Sequence, residues 1–232
     1  MIFIGVVDLN NKKKVLNFFR KKLNTSLINI IDIGAHKGET IDLFLKNFNI
    51  EKIYSFEPNK NLFNTLIKKK YNSNKVKLLN LGIGKKTGNK ELNIFKDTSS
   101  STLNDINENT EYFKRKKKIM TFFFPNENFL KEKQMVEICN LSEFINQEKI
   151  KKIDILKIDT EGYEFNIISG ISNLDFKNIK FIYFEHHYDL MIKKNYKFYD
   201  INKLLKKNNF QKKYKLKMKY RKSFEYIYEN SN

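Results

Sequence analysis

The chain has 232 residues, 41% hydrophobic and 14% aromatic, with a formal net charge of +19. That length and apolar content exclude a disordered chain and allow one sizeable domain with a complete core. The basicity is almost wholly lysine, with arginine only at Arg20, Arg115 and Arg221, which reads as AT-rich codon bias before it reads as a phosphate-binding surface, where arginine's planar fork is favoured.

Residues 11–23 are predicted as a short amphipathic helix, with Val15, Leu16, Phe18, Phe19 and Leu23 at helical spacing. Residues 1–26 then form an N-terminal helical segment ahead of one domain over 27–232. Leu27–Ile33 reads as a buried strand, Glu39–Phe48 as its crossover helix, Ile53–Phe56 as a second strand, Asn61–Lys70 as a second helix and Val76–Leu81 as a third strand. Continuous apolar runs alternating with helical patterns predict a parallel sheet covered on both faces.

The middle is less regular. A short strand is expected at Glu91–Lys96, a hydroxyl-rich loop at Ser99–Thr102, and an insertion or lid over 104–134 containing a charged helix, Glu108–Lys118. The Phe122–Phe124 cluster is expected to pack beneath that insertion. Met135–Cys139 resumes as a strand, and Leu141–Gln147 as a helix capped by Asn140 or Ser142. Ile153–Ile158 is a buried strand ending at Asp159, and Glu164–Ser169 a helix stopped by Gly170. Lys180–Glu185 is the next strand, and Phe198–Asn208 a helix. Strands near 213–220 and at Ser223–Tyr228 suggest an antiparallel hairpin closing the sheet.

Two acids stand out. Asp32 is followed by the turn Gly34-Ala35-His36-Lys37-Gly38, and Glu57 ends the second strand 25 residues later. In a parallel α/β sheet the first turn lets backbone approach a nucleoside ligand, and an acid roughly 20 residues on accepts ribose hydroxyls. A pyrophosphate cradle favours glycine where backbone meets phosphate. The bulky His36-Lys37 instead suits a ligand carrying a carboxylate and an amine, as S-adenosylmethionine does. Asp159-Thr160-Glu161-Gly162-Tyr163-Glu164 crowds three carboxylates at a third strand end, where at least one pKa should rise. Glu161 and Glu164 also suit the N-terminus of the following helix. Glu185-His186-His187 closes the next strand, and alternation sends the two histidines to opposite faces. Asp159, Glu161, Glu185 and His187 are therefore candidate catalytic residues, with the proton acceptor open among them. No ligand spacing marks a metal site.

Ile31-Asp32-Ile33-Gly34-Ala35-His36-Lys37-Gly38, Phe56-Glu57-Pro58, Asn80 with Gly82-Ile83-Gly84, Ser99-Ser100-Ser101, and above all Leu156-Lys157-Ile158-Asp159-Thr160-Glu161-Gly162-Tyr163-Glu164 resemble the FkbM-type methyltransferases. The resemblance covers roughly Leu27 to Phe210. It departs from the family at His36, where Asn is commoner, and at Lys85, where an acid often stands. It implies a Rossmann-like class I methyltransferase fold: α/β, seven mostly parallel strands, the last one reversed. It also implies S-adenosylmethionine as cofactor and O-methylation of a hydroxyl, often on a sugar or natural product. Carried across, Asp32, Gly34, His36 and Gly38 would line the methionine end, Glu57 would hold the ribose, and Asn80 would lie near the adenine.

The expected partner is a small-molecule or glycan acceptor. An RNA substrate, or a non-catalytic basic binding module on the same fold, stands as the alternative. No apolar run approaches the ~18–20 residues of a membrane span, and the apolar Met1–Val7 runs straight into Asp8 with no small-residue cleavage site. One cysteine, Cys139, excludes an internal disulfide framework and is expected as a small core residue. Together these suit a cytoplasmic protein without stable membrane insertion; oligomeric state has no sequence signature here.

Overall fold

A computed structural model of the chain describes residues 9–96, 101–123, 129–219 and 222–231. Helix α1 spans Leu9–Leu23, followed by β1 (Ile28–Ile33), α2 (Glu39–Asn47), β2 (Ile50–Phe56), α3 (Lys60–Lys68) and β3 (Val76–Leu79). Then come β4 (Gly82–Gly84), β5 (Gly88–Phe95), α4 (Glu111–Phe123), β6 (Leu130–Asn140), α5 (Leu141–Gln147) and β7 (Ile153–Ile158). The chain continues through α6 (Glu164–Ile168), α7 (Asn173–Asn178), β8 (Ile179–His187), α8 (Phe198–Lys207), β9 (Phe210–Lys217) and β10 (Ser223–Asn230).

Seven strands form one sheet in the order β3-β2-β1-β7-β8-β10-β9. The pairs from β3 through β8 are parallel, and β10 alone runs against both of its neighbours. The expected α/β sheet with a reversed last strand is the one observed. β7 is buried at every position because helices cover both faces. Side chains alternate between two cores. On one face Val15, Phe19, Ile41, Phe44 and Leu66 pack on Ile28, Ile30, Ile155 and Phe181. On the other, Leu141, Phe144, Ile167, Ile201 and Leu205 pack on Ile31, Ile33, Leu156 and Phe184.

Several expectations need correction. The third strand does not run to Leu81. Asn80 breaks it by donating its side-chain amide to the carbonyls of Glu57 and Pro58 at 2.8 and 3.1 Å. The chain then enters a second sheet, β4-β6-β5, in which Gly82 lies under Ile138, so that a Cβ there would come 2.6 Å from Ile138 Cδ1. The helix expected at Glu108–Lys118 lies at Glu111–Phe123 and buries Phe113 against Phe95 and Phe129. Phe122 is not packed beneath it but 82% exposed; Phe124, like Met1–Val7 and Ser99-Ser100, lies outside the described residues. Cys139 is only partly buried. Helix α7, capped by the Ser172 side chain, was not anticipated because six residues carry too little periodicity. Among the described residues no helix is long and apolar enough to cross a membrane.

Candidate active site

Because β1 lies between β2 and β7, connections leave it in opposite directions and a crevice opens at the carboxyl ends of these strands. Three strand ends are knitted together there. The amide of Asp159 donates to Ile33 O at 2.9 Å, and those of Gly34 and Ala35 donate to Phe56 O at 3.0 and 2.9 Å. Gly34 has φ +88°, and a Cβ on it would sit 2.0 Å from the Asp159 carbonyl oxygen. Only glycine lets these two loops approach so closely.

Glu57 is 6% exposed. Its two carboxyl oxygens accept from the amides of His36 and Asn59 at 2.8 and 2.9 Å. Burial pushes its pKa up to about 7 against those hydrogen bonds. His36 bends the turn at φ 51° and brings its ring 3.3 Å from Glu39. Gly38 packs against Leu66 and Tyr71 beneath the turn, and a Cβ would meet Tyr71 Oη at 2.5 Å. Asn80 is exposed at the end of β3, bracing the loop that carries Glu57.

A polar row crosses the sheet from that turn. Ser55, Asp32, Lys157 and Tyr183 occupy adjacent register positions on four neighbouring strands. Ser55 Oγ donates to Asp32 at 3.0 Å, and Lys157 Nζ lies 3.5 Å from Asp32 and 3.2 Å from Asp159. Burial opposes charge on Lys157, but Asp159 and Asp32 outweigh it and hold its pKa above the ordinary value. Asp32 is sealed inside at 0% exposure, whereas the Asp159 side chain is 38% exposed and reaches the open edge. Asp32 thus fixes a lysine, and the lysine fixes Asp159.

At the end of β8, His187 stands among carboxylates. Its Nε2 lies 3.2 Å from Glu161 and 3.3 Å from Glu185, and its Nδ1 lies 3.5 Å from Asp189. Burial opposes the charge, yet Glu161, Asp189 and Glu185 push its pKa up to about 10. An imidazole already carrying both protons balances the charge of these acids and has no lone pair to accept another proton. His186 points to the opposite face, as alternation requires, against Tyr188, Tyr196 and Phe198. Glu164 is wholly buried; it accepts from the Gly162 amide at 2.7 Å and from Tyr196 Oη at 2.6 Å, closing the turn before α6.

Sequence reasoning missed several members. Thr102 and Asn104 donate to the carbonyls of Glu161 and Gly162 at 2.8 and 2.6 Å, strapping the loop after β5 to the acidic turn. Glu225 of β10 stands directly opposite Glu185 and receives the Tyr183 hydroxyl. It is only half-buried by its neighbours, yet burial pushes its pKa up to about 7; Tyr183 and Lys157 oppose, Glu185 and Asp159 assist. No local signal marks it: Tyr226, Ile227 and Tyr228 after it are all buried, so alternation along β10 does not single out one face. Among the described residues no group of three His, Cys, Asp or Glu is arranged to hold a metal ion.

A family model described as the methyltransferase FkbM domain matches residues 32–212. The fold resembles the crystal structure of methyltransferase FkbM from Methylobacillus flagellatus KT, with TM-score 0.55 and 13% identity over 91% of this chain. This chain spans 46% of the length of that protein. It also resembles M. capricolum TrmK in complex with S-adenosyl-homocysteine, with TM-score 0.52, 12% identity and coverage of 94% of this chain and 68% of that one. Magnesium protoporphyrin IX methyltransferase from Synechocystis PCC 6803 with bound SAM gives TM-score 0.52 and 11% identity, covering 97% of this chain and 81% of that one. No curated protein matches the sequence.

Proposed function

The chain belongs to the FkbM methyltransferase family, and from that premise we propose that it is an S-adenosylmethionine-dependent O-methyltransferase acting on a hydroxyl of a sugar, glycan or related small molecule. The observation that carries this reading is the meeting of the Gly34 turn, Glu57 and Asp159 at the crevice beside β1. The residues present fit the cofactor. Each Glu57 oxygen uses one lone pair on a backbone amide and keeps another for a ribose hydroxyl. The Gly34 turn, shaped by His36 and Gly38 and backed by Asp32, would receive the positively charged methionine end, and Asn80 would lie on the adenine side. When bound, S-adenosylmethionine supplies a methyl group on a sulfonium, the electrophile of the reaction.

The chain's own part is to place an acceptor hydroxyl and take its proton. Asp32 and Lys157 act from beneath by fixing Asp159 in its outward-facing position. His187 neutralises part of the charge on Glu161 and Glu185, so that several acids can share one rim. Glu225 is the carboxyl best matched to proton acceptance, because its pKa lies near neutrality and Tyr183 holds it in place. Carboxylates only accept hydrogen bonds, so this rim pairs with the donors of a polyhydroxyl compound and repels a phosphate chain.

Glu57→Ala should weaken S-adenosylmethionine binding by about 10-fold or more in calorimetry, since it removes charge-assisted hydrogen bonds. Asp159→Asn and Glu225→Gln should retain binding but lower transfer from an isotope-labelled methyl donor to cell extract by about 10²–10⁴-fold. Wild-type transfer should rise with pH through about 7, as Glu225 ionises, and Glu225→Gln should remove that limb. A folded wild-type protein that binds no S-adenosylmethionine would overturn the reading.

A further inference from the structure

Helix α4 carries Lys114, Arg115, Lys116, Lys117 and Lys118 in succession, with Glu111 as its one acid. Its inner side is anchored by Phe113, 3% exposed, against Phe95 and Phe129. Its outer side is unlike an ordinary solvated face. Lys114, Lys117, Lys118, Thr121 and Phe122 follow the i, i+3, i+4, i+7, i+8 spacing of one helical stripe and line an open groove of about 500 Å³. Phe122 is 82% and Ile119 48% exposed. Thus two large apolar side chains stand exposed at the C-terminal end of the lysine run.

We propose that this outer face of α4 docks on an anionic lipid surface. A helix with a basic face and protruding apolar residues lies in the plane of a bilayer interface, its apolar groups at the acyl boundary and its ammonium groups among the headgroups. The groove walls are largely the hydrocarbon stems of the lysines, which can follow Phe122 toward that boundary while their charged ends stay with phosphate. Base-edge readout would call for neutral polar side chains, of which the groove has Thr121 alone, and tracking of a single strand would call for successive stacking rings, where this groove has the one ring of Phe122.

The helix is tied to the rim of the candidate site. Ile106 bridges to Ile192, Asn107 N donates to Met191 O at 2.7 Å and Lys193 N to Asp105 O at 2.8 Å. Those partners follow Asp189 directly, and Met191 and Ile192 share the small core of Phe95, Phe113 and Phe129. Docking through α4 therefore brings the acidic rim near a surface while leaving the methyl-transfer chemistry independent of it.

The sequence contains no tryptophan, so Phe122→Trp places one reporter at the C-terminal end of the face. Its emission should shift to the blue on mixing with vesicles of phosphatidylglycerol and phosphatidylcholine at physiological salt, and stay unchanged with phosphatidylcholine alone. Adding Lys114→Gln, Lys117→Gln and Lys118→Gln should weaken partitioning by about 100-fold, near fivefold per lysine. These positions are exposed, and circular dichroism checks that the fold is kept. No shift with anionic vesicles, unchanged partitioning of the triple variant, or a stronger response to polyuridylate than to vesicles at the same salt overturns the proposal. S-adenosylmethionine binding in the same samples separates its failure from that of the enzymatic reading.

Discussion

Glu57 and His187 have pKa values raised by opposite causes, burial for the carboxyl and neighbouring acids, against burial, for the imidazole. Glu57 is held in the fold at a pKa of about 7, above its ordinary 4.5, so protonation favours the native state. Its contribution is fully present below about pH 4.5 and is lost as pH rises through 7. Glu57→Gln should therefore flatten the fall in unfolding free energy between pH 5 and pH 8, measured by urea titration, by up to ~3 kcal/mol. An unchanged slope in that variant would assign the titration to another group. His187 is raised from 6.5 to about 10, so its contribution persists below 6.5 and disappears as pH climbs through 10, a separate window that Glu57→Gln leaves alone. At this scale the sequence marked Asp32, Glu57, Asp159, Glu161, Glu185 and His187 as chemically loaded. It did not reveal that Asp32 would be sealed beneath a lysine or that His187 would face three acids, because both depend on which strands lie side by side.

Helix α6 has five residues, too few to sustain itself by backbone bonding. Its first residue, Glu164, closes its carboxylate on the Gly162 amide, and the Tyr196 hydroxyl shares its one hydrogen between Glu164 and the Gly162 carbonyl. Tyr196→Phe should cost about 2 kcal/mol of stability and speed amide exchange at residues 160–164, because it leaves a wholly buried carboxylate one donor short. Unaltered exchange there would show that Gly162 alone secures the turn. The same element explains why the acids at 161 and 164 diverge in role: the positive φ of Glu161 (49°) and Gly162 (94°) swings one carboxyl toward His187 and leaves the next for the cap. Apolar periodicity located most elements to within a few residues. It failed where glycine and asparagine act through neighbours, as at Asn80, where a side-chain amide rather than hydropathy ends the strand.

The last strand in the chain is not the last in the sheet. β10 lies between β8 and β9, and Tyr226, Ile227 and Tyr228 are all 0% exposed. Removing residues 209–232 would bare the edge of β8 and one wall of both cores. That truncation should lose cooperative unfolding and near-ultraviolet circular dichroism and should bind a hydrophobic dye. A truncated chain with a sharp thermal transition would show that the sheet closes without its hairpin. The charge of the whole molecule is also divided: acids gather at the carboxyl edge beside β1, and a lysine run faces outward on α4.

By itself the sequence determined the α/β class, the order of the main strands and the acids at their ends, because hydropathy runs and glycine turns are local and repeat along the chain. Tertiary structure alone decided that Glu225 and Tyr183 join the site, that Gly82–Gly84 enters a second sheet, and that Phe122 faces outward. Those outcomes rest on contacts between residues far apart in sequence, and no local pattern encodes which distant strand will supply the neighbour.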